Sequence, residues 1–211
     1  MDYKAAFIHT PKCAGTTVRE LIKKNYDEHI AYIPDNRSER WARYLNLNLE
    51  KDWYFHTTSM SDFPFLFTFV RNPFSRLVSF WFYGKSRNRA WLPWEMSFYK
   101  FVKLLSKQTF DQTRDDFFAW SHVRPYTHKD SVIFNNGVPA VDFIGKVENY
   151  KTDLNSIFDK LKLPLPTEEE RVRTTEHLHY SRYYNNESIA IASDFYGEDL
   201  QYFDYQYESR D

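Results

Sequence analysis

Phe7-Ile-His-Thr-Pro-Lys-Cys-Ala-Gly-Thr-Thr-Val-Arg-Glu-Leu-Ile22 is the stretch whose reading decides the fold. A short apolar run, residues 5–8, ends in a loop of small residues. The loop opens directly into a helical pattern in which Val18, Leu21 and Ile22 recur on one face. A strand, a tight turn and a helix N-terminus follow one another. Backbone N–H groups point outward at such a terminus, and the helix dipole favours an anion there. Lys12 adds a full positive charge, and Thr16 and Thr17 add hydroxyl donors. The segment reads as a cradle for phosphate-like oxygens.

Outward from this turn the chain alternates. The first strand is expected at 3–9, a helix at 16–27 and a second short strand at 30–33. A helix at 39–49 places Trp41, Leu45 and Leu49 on one face, and 53–56 is strand-like. Residues 65–70 form the strongest strand, apolar on both faces, as suits the centre of a parallel sheet. It ends in Arg71-Asn72-Pro73, where Asn72 can cap a helix and Pro73 fits its first position, so a helix is expected from there to about Tyr83. Further helices are expected at 94–106 and 110–120, a strand at 138–144 and an exit loop at 146–149. Leu154, Ile157, Phe158 and Leu161 share one face of a helix at 152–161 that Pro164 and Pro166 end. A last helix at 186–195 precedes an aromatic tail at 200–207. The alternation predicts a single α/β domain over 1–211, with a central parallel sheet flanked by helices and ligands at the carboxyl ends of the strands.

Composition narrows the function. With 211 residues and 42% hydrophobic content, the chain can build a sizeable core. Aromatic residues make up 19%, including 16 Tyr and 19 Phe, which reads first as an aromatic-rich core and second as aromatic-lined clefts. A net charge of −1 provides no global field toward nucleic acid or membrane, so an anion site must be local and no nucleic-acid partner is expected. Cys13 is the only cysteine, which favours a reducing compartment. No run approaches the roughly 20 apolar residues of a spanning helix. The expectation is a complete cytoplasmic protein that begins at its first core strand.

A glycine-containing turn alone is a weak signal. The triphosphatase loop G-x-x-x-x-G-K-[ST] is not matched, because Lys12 precedes Gly15, and no acidic run offers a magnesium ligand. The second turn, Phe69-Val-Arg71-Asn-Pro73-Phe-Ser-Arg76-Leu-Val-Ser79, strengthens the signal. Arg71 stands at a strand end, where its guanidinium can fork onto a phosphate, and Ser79 follows two turns into the helix.

The two segments, in this order, resemble the sulfotransferases that use 3′-phosphoadenosine 5′-phosphosulfate. Pro11-Lys-Cys-Ala-Gly-Thr-Thr17 is similar to their 5′-phosphosulfate loop, and Arg71 to Ser79 is similar to their 3′-phosphate element. Val141-Asp-Phe-Ile-Gly-Lys-Val-Glu-Asn149, followed by Asp153-Leu154, resembles a segment of the membrane-type carbohydrate sulfotransferases that act on glycosaminoglycans. The resemblance implies a P-loop-like fold, the 5′-phosphosulfate on Lys12, Cys13, Ala14, Gly15, Thr16 and Thr17, and the 3′-phosphate on Arg71 and Ser79. It implies a hydroxyl acceptor, in the first instance a carbohydrate, and no metal. Lys12 can then follow charge as it builds on the leaving group. Cys13 stands where the family often has Thr or Ser, a small change in a loop that works through its backbone.

The acceptor hydroxyl needs a base that titrates near neutrality. His56, at the end of the run 53–56, is the first candidate, in a place comparable to the catalytic His of some glycosaminoglycan sulfotransferases; a polar loop histidine is the alternative. His9 is expected to pack or hydrogen-bond beside the loop. His122 and Arg124 are candidates for acceptor binding, and Glu148 is a rival base or an orienting group. By the resemblance, Arg173 and Thr175 reach the cofactor, with an ordinary surface loop as the equal alternative. His177 and His179 lack the partners of a zinc set. Two other readings stay open: a small kinase with a divergent phosphate loop, and a non-catalytic nucleotide-binding protein.

Overall fold

The computed structural model describes residues 3–34, 63–86, 95–106, 114–129, 131–165 and 177–210. The helix expected at 39–49 and the strand at 53–56 lie outside them. In chain order the regular elements are β1 (Ala5–His9), α1 (Gly15–Asn25), β2 (Ile30–Pro34), β3 (Leu66–Val70), α2 (Pro73–Ser86), α3 (Phe98–Ser106) and α4 (Arg114–Val123). They continue with β4 (Phe134–Asn135), β5 (Val138–Pro139), β6 (Phe143–Lys146), α5 (Tyr150–Leu161), α6 (Asn186–Phe195) and α7 (Gly197–Phe203). Two compact units are formed, Met1–Val70 with Lys129–Arg173, and Arg71–His128 with Thr174–Asp211.

The first unit holds the sheet. Its order is β2-β1-β3-β6, and every pairing is parallel, with Phe7 opposite both Tyr32 and Phe67, and Phe67 opposite Phe143. The expected α/β fold with a central parallel sheet is present. Its physical basis is the two-faced apolarity of the middle strands: Ala5, Ala6, Phe7, Ile8, Phe67, Phe69 and Val70 are all completely buried. Burying a phenylalanine contributes roughly 2–3 kcal/mol, so these two strands are the thermodynamic centre of the unit. Helix α1 covers the sheet with Val18, Leu21 and Ile22, and α5 with Leu154, Ile157, Phe158 and Leu161. The residue after α1 joins the two helices: the Tyr26 ring meets Phe158 edge-on at 4.7 Å, and its hydroxyl donates to the Pro164 carbonyl at 2.8 Å.

One expected strand, 138–144, is two elements instead. Asn136 and Gly137 both adopt positive φ, 50° and 79°, and form the tight turn of a small β4–β5 hairpin. Asn-Gly between two strands selects such a turn. The chain then enters β6 through Asp142, whose carboxylate accepts from the Leu66 N–H at 2.7 Å while its own N–H donates to the Leu66 carbonyl at 2.8 Å. The expected exit loop is a single 3₁₀ turn, Val147–Asn149, that runs straight into α5.

The motif at 141–154 is a structural joint. A Cβ on Gly145 would stand 2.6 Å from Cε1 of Phe69 and 3.2 Å from Cβ of Asp153. Asp153 in turn accepts from the Lys146 N–H at 2.6 Å, which fastens the end of β6 to the first turn of α5.

The second unit is helical and aromatic. Asn72 accepts from the Phe74 N–H at 3.0 Å, so the expected cap with Pro73 in the first helical position is realised, although α2 runs three residues past Tyr83. Helix α3 begins at Phe98, later than expected, and α4 is described from Arg114 on, the first part of the range expected for it lying outside the described residues. Asn185 and Ser188 form a reciprocal capping box at the start of α6. Helix α3 packs on α6, and α2 on α4. Phe74 is ringed by Tyr184 at 5.5 Å and Tyr207 at 5.2 Å, both edge-on, and Tyr184 donates to the Phe74 carbonyl at 3.0 Å. Much of the high aromatic content is thus core, and the tail folds back as α7.

Replacing Gly145 by alanine should destabilise the protein by about 1–3 kcal/mol, because a well-packed core must shift to admit the methyl group. Urea unfolding reads this directly, and an unchanged midpoint would refute the account of the joint.

Candidate functional site

The first candidate region is the turn between β1 and α1. Lys12 and Ala14 are both left-handed, with φ of 64° and 59°, and neither is glycine. Such residues cost on the order of 1–2 kcal/mol each relative to right-handed backbone. Cys13 between them is fully buried, donates its N–H to the Thr10 carbonyl at 3.3 Å and turns its Sγ to the Pro11 carbonyl at 3.4 Å. The thiol therefore fastens the loop internally. Below the loop, the Thr10 and Thr68 hydroxyls are paired at 2.9 Å and Thr68 donates to the Ile8 carbonyl at 2.8 Å, which ties the end of β1 to the middle of β3.

Ala14 occupies the cap position of α1 and contributes no side-chain bond, and the first turn of the helix has no acidic residue. The first N–H groups of any α-helix have no carbonyl one turn earlier to donate to. Here the first turn of the helix holds no Ser, Asp or Glu, and Lys12 precedes. Thr16 and Thr17, half-buried, present their hydroxyls from the same turn. An arrangement with this polarity accepts an oxyanion.

Gly15 cannot be otherwise. A Cβ there would overlap Cδ2 and Nε2 of the His9 ring. His9 Nδ1 pairs with the Tyr32 hydroxyl on the neighbouring strand, and the Arg19 guanidinium lies 6.0 Å over the Tyr32 ring. Burial of His9, with the positive charges of Arg19 and Lys12 nearby, lowers its pKa from 6.5 to about 4. Burial raises the Tyr32 hydroxyl above its ordinary range. At neutral pH both are uncharged. His9 thus packs and hydrogen-bonds beside the loop, as expected, and Tyr32 is a supporting residue the sequence did not announce.

The second candidate region lies in the other unit, at the start of α2. Arg71 is half-buried, and its Nε donates to Ser75 Oγ at 2.9 Å. The Tyr126 hydroxyl accepts from the Arg71 N–H at 3.0 Å and donates to the Arg71 carbonyl at 2.9 Å. The Arg76 guanidinium covers the Tyr126 ring at 4.4 Å and donates to the Arg124 carbonyl at 2.9 Å. Asp199 accepts from the Tyr126 and Thr127 N–H groups at 2.8 and 2.9 Å, and from the Thr127 hydroxyl at 3.0 Å. Burial pushes the Asp199 carboxyl up, while these donors and the Arg76 charge pull it back. Ser79 lies further along the same helix and is buried.

The remaining candidates are more scattered. His122 is buried, stacked on Phe80 at 4.9 Å and paired with Ser121 Oγ at 3.1 Å, and Arg124 beside it is buried too. Glu148 is exposed in its 3₁₀ turn. His177 stacks on Phe82 at 5.2 Å, and His179 caps the turn Tyr180–Tyr183. His56, Arg173 and Thr175 lie outside the described residues. Among the described residues no three His, Cys, Asp or Glu side chains are grouped for a metal ion, and no helix is long and apolar enough to cross a membrane.

The lowered pKa of His9 gives a pH dependence with a definite sign. The unfolded chain takes up a proton near pH 6.5 and the folded chain only near pH 4. The contribution is therefore complete above about 6.5 and is lost as pH falls toward 4, by up to about 3 kcal/mol. Urea midpoints at pH 7 and pH 5 should differ more for the parent protein than for His9→Gln. Equal differences would remove His9 from the account.

Neither the curated proteins nor the solved structures contain a significant match to this chain. The model of the sulfotransferase family matches residues 1–206, and with it the observed fold and loop find their place: the chain belongs to the sulfotransferase family.

Proposed function

We propose that the protein transfers a sulfuryl group from 3′-phosphoadenosine 5′-phosphosulfate to a hydroxyl, with a carbohydrate as the acceptor class that the 141–154 motif favours. The observation that carries this reading is the start of α1. It is a helix N-terminus without a capping side chain or an acidic first turn, introduced by a left-handed lysine. The residues present suit an anionic group: backbone donors from Gly15 onward, the Thr16 and Thr17 hydroxyls, and the Lys12 ammonium.

In this reading Lys12 with residues 13–17 takes the 5′-phosphosulfate, and the forked terminal nitrogens of Arg71, with Ser79, take the 3′-phosphate. The donor supplies the sulfuryl group. As the sulfur–oxygen bond to the leaving phosphate breaks, Lys12 takes up the charge that appears on the bridging oxygen. The acceptor oxygen forms the new bond to sulfur and passes its proton to a base, for which His56 remains the candidate. Arg173 and Thr175 are further donor contacts in the proposal, His122 and Arg124 the acceptor-side residues, and the whole of 1–211 one catalytic domain. The single cysteine, Cys13, keeps the cytoplasm as the proposed compartment.

Isothermal titration with adenosine 3′,5′-bisphosphate and with adenosine 5′-monophosphate tests the donor assignment. The 3′-phosphate should add about tenfold or more in affinity, and Arg71→Ala should abolish that preference. Lys12→Ala should lower the transfer rate by about 100-fold or more, in keeping with the loss of a charge-stabilising group. Equal affinity for the two nucleotides would defeat the reading.

A further inference from the structure

We infer that Tyr126 is a positioning residue for Arg71, and that Asp199 and Arg76 are its supports. The inference rests on the assignment of Arg71 to the 3′-phosphate and adds to it the machinery that sets the arginine's direction.

Arg71 is the first residue after the buried strand β3, and α2 begins two residues later. Neither regular element supplies hydrogen bonds for the backbone of such a joint. One phenol does both tasks: its oxygen receives the Arg71 N–H at 3.0 Å, and its proton goes to the Arg71 carbonyl at 2.9 Å. A residue held at both its N–H and its C=O is restricted in φ and ψ, and so is the direction of its Cα–Cβ bond. The side chain is then steadied once more by Ser75 at Nε, at 2.9 Å. What stays for a ligand is the pair of terminal nitrogens, the geometry that a phosphate accepts in bidentate fashion.

Tyr126 is itself held with unusual completeness. It is 2% exposed. Its ring lies under the Arg76 guanidinium at 4.4 Å and meets Phe203 edge-on at 5.7 Å, and its N–H is bound by the Asp199 carboxylate at 2.8 Å. Asp199 is completely buried and bears three hydrogen bonds from the Tyr126-Thr127 pair. A buried carboxylate and a buried guanidinium are costly groups unless they are well paired. A tyrosine needed only to fill space does not require two such groups arranged about it. Asp199, Arg76 and Tyr126 form one continuous support, and it ends on the backbone of Arg71.

The test is Tyr126→Phe, which keeps the ring under Arg76 and removes only the hydroxyl. The full chain is titrated with adenosine 3′,5′-bisphosphate and with adenosine 5′-monophosphate, beside Arg71→Ala and Tyr196→Phe. Tyr196 gives a matched control in the same unit, since its buried hydroxyl donates to the Val123 carbonyl at 2.5 Å. Tyr126→Phe should reduce the preference for the 3′-phosphorylated nucleotide by about tenfold, with affinity for the monophosphate unchanged. Tyr196→Phe should lower thermal stability and leave the preference intact. If Tyr126→Phe does not fold, Asp199→Asn replaces it, with an expected reduction of about threefold.

Full preference in a folded Tyr126→Phe or, failing that, in Asp199→Asn overturns the inference. An equal loss in Tyr196→Phe overturns it too, because general loosening then suffices. If Arg71→Ala itself retains the preference, the assignment of Arg71 falls and takes the inference with it. Loss in Arg71→Ala alone strikes down the positioning role and leaves the assignment standing.

Discussion

The contact on which the first unit's candidate site depends is the approach of the His9 ring to the backbone at Gly15. It leaves no room for a side chain there. Because the imidazole is braced by the Tyr32 hydroxyl, the end of β1 and the beginning of α1 are held at a fixed separation. The intervening residues must close that span in few steps, and they do so by placing Lys12 and Ala14 in left-handed backbone. The strain at these two residues and the lack of a capping side chain at Ala14 are two aspects of one arrangement. A conventional Ser or Asp cap would relieve the terminus and occupy the place proposed for the anion.

The second unit meets a different requirement with similar means. There, the residue of interest follows β3, a strand buried along its whole length, and side chains far along the chain hold it. The bonds from Tyr126 to Arg71 span 55 residues, and those from Asp199 to Tyr126 span 73. Both candidate regions thus place a basic residue at a strand-to-helix junction and brace it with a neighbouring phenol. In one the phenol acts through a histidine, and in the other it binds the backbone directly.

This difference explains what the sequence could disclose. Local signals were legible: the apolar runs of β1 and β3, the helical spacing of Val18, Leu21 and Ile22, and the pairing of Asn72 with Pro73 all depend on neighbours within a few residues. The parallel sheet followed from strands apolar on both faces. The hairpin at 134–139 was also written locally, in Asn136-Gly137, but the apolar run beginning at Val138 masked it. The left-handed residues of the loop had no such sign, since neither Lys12 nor Ala14 is a residue that marks positive φ. The burial of Asp199 and Arg76 had no local sign either, because nothing near them in sequence indicates it. The 141–154 motif was legible as a family mark, whereas its physical work, seating Gly145 against Phe69 and Asp153, is a matter of tertiary contact.

Asn72 has a second bond that links distant parts of the chain. While its Oδ1 caps α2, its Nδ2 donates to the carbonyl of Gln206 at 3.0 Å, 134 residues away. The same segment returns to the unit again where the Glu208 N–H meets the Tyr180 hydroxyl at 2.8 Å. One amide therefore serves as a splice between the beginning of a helix and the segment around Gln206. Proteolytic trimming, or a fusion partner attached close behind Gln206, would be felt at the root of α2. The segment at Gln206 and the helix that bears Ser79 are thus coupled through a single planar side chain whose two ends cannot move independently.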